Sequence, residues 1–174
     1  MRSSPPNNLA KDWTVRVIDK DHCVALWDRV LIQVWHFATT LSAVAQLDAV
    51  ARTFISQVNA PISSIAIVER TSPPPSDEVR ALLSKFYRDL APQMSQQIVV
   101  ADGGGFRGAI VRAVGVTLST LAPRTLPFRF VGSVLEATTL VAPHLSPTAG
   151  GEVALRRAVE GVREDSRRMA APPA

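Results

Sequence analysis

The chain has 174 residues, 47% of them hydrophobic and 20% charged, with a formal net charge of +4. That is the length of one domain with tails, enough to bury a real core, and the composition of a globular protein. A membrane-spanning helix is excluded because no apolar run approaches the ~20 residues that cross a bilayer, and an internal disulfide because Cys23 is the only cysteine.

The first residues, MRSSPPNNLAKDW, contain no apolar core of a secretory signal. With the single cysteine, this points to a reducing, cytoplasmic location. Residues 1–10 are polar and carry Pro and Asn, the composition of a disordered arm. A single domain is expected over 11–145. It opens with WTVRVID (13–19), where Trp13, Val15 and Val17 alternate with Thr14 and Arg16 as in a half-buried strand. HCVALWDRVLIQVWH (22–36) reads either as one long strand bulged at Asp28-Arg29 or as a hairpin broken there. Two strands are preferred, although Asp-Arg lacks the glycine that tight hairpin turns favour. Cys23 lies in this apolar run, where an inert buried thiol is expected.

Thr39 or Thr40 can cap the next segment, a helix with Leu41, Val44, Ala45, Ala51, Phe54, Ile55 and Val58 on one face. Pro61 ends it. ISSIAIVE (62–69) is short and β-branched, a buried strand, and RTSPPPS is a loop because its prolines exclude helix and central strand. Ser76 caps a second amphipathic helix with the stripe Val79, Leu82, Leu83, Phe86, Leu90; Asp77 and Glu78 suit its positive end. A strand at 97–101, a glycine loop, a helix at 106–121 and a strand at 126–132 follow. Ser133 with Glu136 forms a capping box that opens a short helix reaching about Leu145. From Ser146 the composition shifts. SPTAGG reads as a linker, and the helix after it as peripheral, because Val153, Leu155, Val159 and Val162 make only a thin apolar side. Residues 146–174 are therefore expected to be a linker, a loosely packed helix and a frayed tail.

Strands alternating with helices imply an α/β fold, a mixed β-sheet with helices packed on it and right-handed crossovers. The element order resembles that of STAS domains, and the segments GGGFRGAIVR and SVLEATTLVAPHL are similar to the last part of SpoIIAA-like bacterial proteins. The resemblance covers about residues 13–145. It implies a STAS-like topology and a non-catalytic regulatory or scaffold role in protein–protein interaction. Phosphorylatable members carry Asp-Ser-Ser-Gly where a central strand meets its helix. The corresponding stretch here is VERTSPPPSDE, in which Ser76 alone sits near the matching place as a candidate regulatory residue.

The chemistry of the chain narrows to a few residues. Residues 1–102 hold ten Lys/Arg and ten Asp/Glu, whereas 103–145 hold four arginines against Glu136 alone. Four scattered arginines are too few for a nucleic-acid footprint. Gly103, Gly105 and Gly108 satisfy the dinucleotide spacing G-x-G-x-x-G, but that fingerprint belongs to the first strand of its unit, with an acid about 20 residues further on. Both conditions fail. The glycines ease a strand-to-helix turn, and a small-anion or nucleotide site remains the alternative function. Its candidate residues are Gly103, Gly104, Gly105, Arg107, Arg70 and Ser133, gathered with the start of the second helix at one edge of the sheet. His22, His36 and His144 show no metal-ligand spacing, no nucleophile motif is present, and neither metal nor cofactor is expected. Trp13, Trp27 and Trp35 cluster in the first strands and form a candidate partner interface, for another protein or a second copy.

Overall fold

The computed structural model describes residues 12–101 and 126–171. The helix expected at 106–121, with Ile110, and the arm at 1–10 lie outside the described residues. Six strands form one sheet in sequence order: β1 (Thr14–Ile18), β2 (His22–Trp27), β3 (Val30–Trp35), β4 (Ile62–Val68), β5 (Met94–Ala101) and β6 (Phe128–Val131). β1, β2 and β3 pair antiparallel, and β3 to β6 run parallel. The helices are α1 (Leu41–Gln57), α2 (Asp77–Leu90), α3 (Val134–Val141) and α4 (Gly151–Ala170).

The sheet is covered on both faces. Val24, Leu26, Leu31 and Trp35 share one core with α1 and α2. Cys23, Ala25, Trp27, Ile32, Ile65 and Ile98 share the other with α3 and α4. Burial on both sides explains why β2 and β3 are apolar nearly throughout, whereas β1 at the sheet edge alternates and leaves Val15 and Val17 only half-buried. The two-strand reading of 22–36 holds. Asp28 takes the left-handed conformation at the hairpin turn, with φ 49°, a place usually given to glycine that Asp tolerates. Its carboxylate also accepts hydrogen bonds from the Ser146 N–H at 2.9 Å and hydroxyl at 2.5 Å.

Helix starts follow the local signals. Thr40 Oγ1 accepts from the Ala43 N–H at 3.1 Å, Ser76 caps α2 and Ser133 caps α3. The helical faces follow them less well. Leu41 and Ala45 of α1 face solvent, while Ala43 and Leu47 are buried.

The last helix departs most from expectation. It is part of the core and not peripheral: Leu155, Ala158, Val159 and Val162 are at most 1% exposed, against β1, β2 and β3. Val153, counted on its apolar side above, is 70% exposed. Small residues make the close approach. A Cβ at Gly161 would collide with Cη2 of Trp13, so the indole rests on the helix backbone. Its N–H donates to Asp165 Oδ2 at 3.1 Å. The segment read as a linker makes the turn into this helix, through Gly150 at φ 86° and Gly151 at φ 72°.

Gly161→Ala is expected to destabilise by about 1–3 kcal/mol through overpacking, against a helix-propensity gain of about 1 kcal/mol. In a Trp13→Ala background the same change should become stabilising. Urea unfolding of the four proteins of that cycle measures it. A Gly161→Ala protein as stable as its parent would mean that the indole does not hold this seat.

Candidate functional site

The carboxyl ends of β3 and β4 lie side by side, with Trp35 opposite Val68. In open α/β sheets this edge is where ligands bind. Here it is filled by a polar network reaching across to α4. Glu69, one residue past β4, is 8% exposed and accepts from Arg163 Nε at 2.6 Å and Arg163 Nη2 at 3.0 Å. Arg167 adds a third contact to the same carboxylate at 3.2 Å. Beside it His36, one residue past β3, shares a hydrogen bond of 2.8 Å with the buried Ser166 hydroxyl.

Two side chains stitch the loops of this edge together. Glu69 to Ser72 close a turn, with the Ser72 N–H on the Glu69 carbonyl at 3.0 Å. From that turn the Thr71 hydroxyl donates to the His36 carbonyl at 2.5 Å, and the Ser72 hydroxyl to the Phe37 carbonyl at 3.0 Å.

Electrostatics follow from this packing. Burial alone would raise the Glu69 carboxyl; the hydrogen bonds and charges of Arg163 and Arg167 outweigh it and hold the group below its ordinary value. Burial lowers His36, with Glu69 opposing and Arg167 and Arg163 assisting. Burial, with Asp165 and Asp19 nearby, pushes the Cys23 thiol up to about 12, so it is protonated at neutral pH. A neutral, buried imidazole has a testable consequence. Its folded pKa lies below the ordinary 6.5, so its contribution is complete above that pH and declines as pH falls below it, where the unfolded chain takes the proton. Chemical unfolding between pH 7.5 and 5.5 (range set by the ordinary histidine pKa of about 6.5) should show falling stability, with a shallower slope in His36→Gln. An unchanged slope would remove His36 as the cause.

The sequence-derived site residues are placed as follows. Arg70 is exposed in the Glu69–Ser72 turn. Ser76 is exposed, and its hydroxyl accepts from the Val79 N–H at 3.3 Å. Ser133 Oγ accepts from the Glu136 N–H at 3.2 Å, and the Glu136 carboxylate reaches back to the Gly132 N–H at 3.0 Å. The helix's own acid therefore holds the place an anion would take. β5 separates β4 from β6, which puts Arg70 and Ser133 roughly 10 Å apart across the sheet at ordinary strand spacing. A surface depression of about 690 Å³ beside Ser133 is lined by Arg129, Phe130, Leu135 and Glu136, one cation against one acid. Gly103, Gly104, Gly105 and Arg107 lie outside the described residues.

The tryptophans do not form a common outward face. Trp35 lies in the first core, stacked on His22 with ring centroids 5.3 Å apart, and Trp27 lies in the second. Both are 6% exposed, and Trp13 is half-buried on Gly161. Indoles that fill cores on opposite sides of a sheet cannot together meet a partner.

The network of Glu69, Arg163, Ser166 and His36 was missed from sequence, although a signal for half of it exists. Positions 155, 158, 159, 162, 163 and 166 share one helical face, which places Arg163 and Ser166 on the buried side of α4. A second buried polar set lies under α2: Gln33 Nε2 donates to Ser64 Oγ at 2.8 Å, and the Trp35 indole to Gln33 Oε1 at 3.3 Å. Among the described residues, no group of three or more His, Cys, Asp or Glu side chains is placed to hold a metal ion, and no helix is long and apolar enough to cross a membrane. The chain matches no protein-family model and no curated protein.

Proposed function

We propose that this chain is a non-catalytic regulatory or scaffold module of STAS-like type, acting through protein–protein interaction in the bacterial cytoplasm. One observation carries the reading. Among the described residues at the carboxyl ends of β3 and β4, the side chains able to do chemistry are engaged in holding α4: Glu69 by two guanidiniums, His36 by Ser166. The described residues there that face solvent lie on loops and include Phe37 and Arg70. The STAS-like assignment rests on the order of elements and on the two similar segments quoted above.

The alternative is a small-anion or nucleotide site at the glycine loop, which lies outside the described residues. Calorimetric titration of the whole chain with phosphate and nucleotides, beside reconstitution with a partner recovered from the native cell, separates the two. The module reading expects no anion-dependent heat and a saturable complex with the partner. Micromolar nucleotide binding that is lost in Arg107→Ala, with the fold unchanged, would replace it with the anion site.

A further inference from the structure

Five large hydrophobic side chains are exposed among the described residues, and two of them, Phe37 at 38% and Leu41 at 40%, flank the start of α1. The other three, Leu135, Val153 and Met169, stand on α3 and α4. Phe37 is held in place. Its N–H donates to the Asp21 carbonyl at 3.3 Å, its carbonyl accepts from Ser72, and its ring lies 6.5 Å from that of His36. An aromatic ring on a backbone anchored from two sides binds at a small entropic cost, because the loop is already ordered.

Among the described residues, positive charge stands beside it. Arg70 stands in the turn that Thr71 and Ser72 bind to the Phe37 loop, is exposed, and has no ion pair among the described residues. Its neighbour Glu69 is already engaged by Arg163 and by Arg167, and Arg167 is 49% exposed. Lys20 pairs with Asp21, whose carbonyl accepts the Phe37 N–H, and Asp19 beside them bonds the buried His22. Arg70 thus lies in the turn bonded to the Phe37 loop, and Arg167 pairs with Glu69 in that same turn.

We infer that the stitched loops at the carboxyl ends of β3 and β4 dock an acidic, apolar segment of a partner protein, its apolar side chains on Phe37 and Leu41 and its carboxylates on Arg70 and Arg167. This rests on the interaction-module reading and names the chemistry of the partner. Carboxylate meets guanidinium in a planar, two-point hydrogen bond that suits Arg. Both arginines are solvent-exposed, so they act chiefly on partner choice and on-rate, while the apolar pair supplies affinity.

The test uses the full chain against a display library of random peptides. Enriched peptides should carry Asp or Glu flanking Leu, Ile or Phe, and a synthetic peptide of the enriched pattern should bind less tightly as salt rises. Phe37→Ser and Arg70→Glu should each weaken that peptide roughly tenfold or more, the loss typical of a central interface residue. Leu135→Ser, on α3, should leave it unchanged. Melting curves confirm that the exposed variants remain folded. Enriched peptides without acids, unchanged binding by Phe37→Ser and Arg70→Glu, or self-association through this face in sedimentation would overturn the inference while leaving the module reading in place. Failure to enrich any peptide overturns the inference too; the module reading then falls only if the nucleotide titration is positive.

Discussion

Glu69→Ala should lower the melting temperature by roughly 6–20 °C. The change removes from Arg163, whose side chain is 8% exposed, the carboxylate that accepts two of its hydrogen bonds. Removing one partner of a buried pair costs about 3–5 kcal/mol, and each kcal/mol moves a domain of this size about 2–4 °C. The cost includes the desolvation of a guanidinium that loses this carboxylate as well as the lost attraction, and replacing both partners tells the two apart. Glu69→Leu with Arg163→Met should recover most of the loss, because apolar side chains of similar volume need no partner. Differential scanning calorimetry of the single and double variants decides it. A single variant that melts within about 3 °C of the parent, a loss of only about 1 kcal/mol and the scale of an exposed ion pair, would mean that the clamp is not buried in solution. The pH dependence carries the same signature. With its folded pKa below the ordinary 4.5, the Glu69 contribution is complete above that value and is lost as pH falls through the folded pKa. Acid unfolding of the parent should therefore begin below about pH 4.5 from this group, a component absent in the double variant.

Truncation after Ser146 should abolish cooperative folding. A peripheral helix could be removed at little cost, but α4 carries Leu155, Val159 and Val162 into the second core, each fully buried. At about 1.5–3 kcal/mol for each such side chain, their loss alone is comparable to the roughly 5–15 kcal/mol that holds an ordinary domain together. The truncation also leaves Glu69 without Arg163 and Arg167, and Trp13 without its seat. A chain ending at Ser146 should bind hydrophobic dyes and show no sharp thermal transition. A cooperative melt within about 8 °C of the full chain, a loss of only a few kcal/mol, would return α4 to the periphery.

Along the chain, sequence and structure agree best where the physics is local. The caps at Thr40, Ser76 and Ser133 each bond to an N–H three residues on. Strand and helix periods need no more than the neighbouring turn or pleat. The alternation of these elements led to the α/β class, and the sheet found here is mixed, with four parallel strands. The capping box at Ser133 was legible for the same reason, although Glu136 reaches the N–H of Gly132 and not that of Ser133.

Agreement ends where partners are distant. Glu69 and Arg163 are 94 residues apart, and Trp13 and Asp165 are 152 apart. Nothing in either local stretch specifies the other. A glutamate closing an apolar strand reads as solvated, and three indoles near one end read as a surface, until the sheet assigns each to a face. The status of α4 turned on small residues. Ala158 and Gly161 contribute little to an apolar count, yet they let the helix approach the sheet and the indole closely enough to bury everything beside them. Which described segments become strands and helices, and where they start, was legible in the local sequence, because those choices are made within one turn of chain. Which faces are buried and which charges are paired follows from the assembled fold, because burial depends on what another segment, far away in sequence, brings within van der Waals reach.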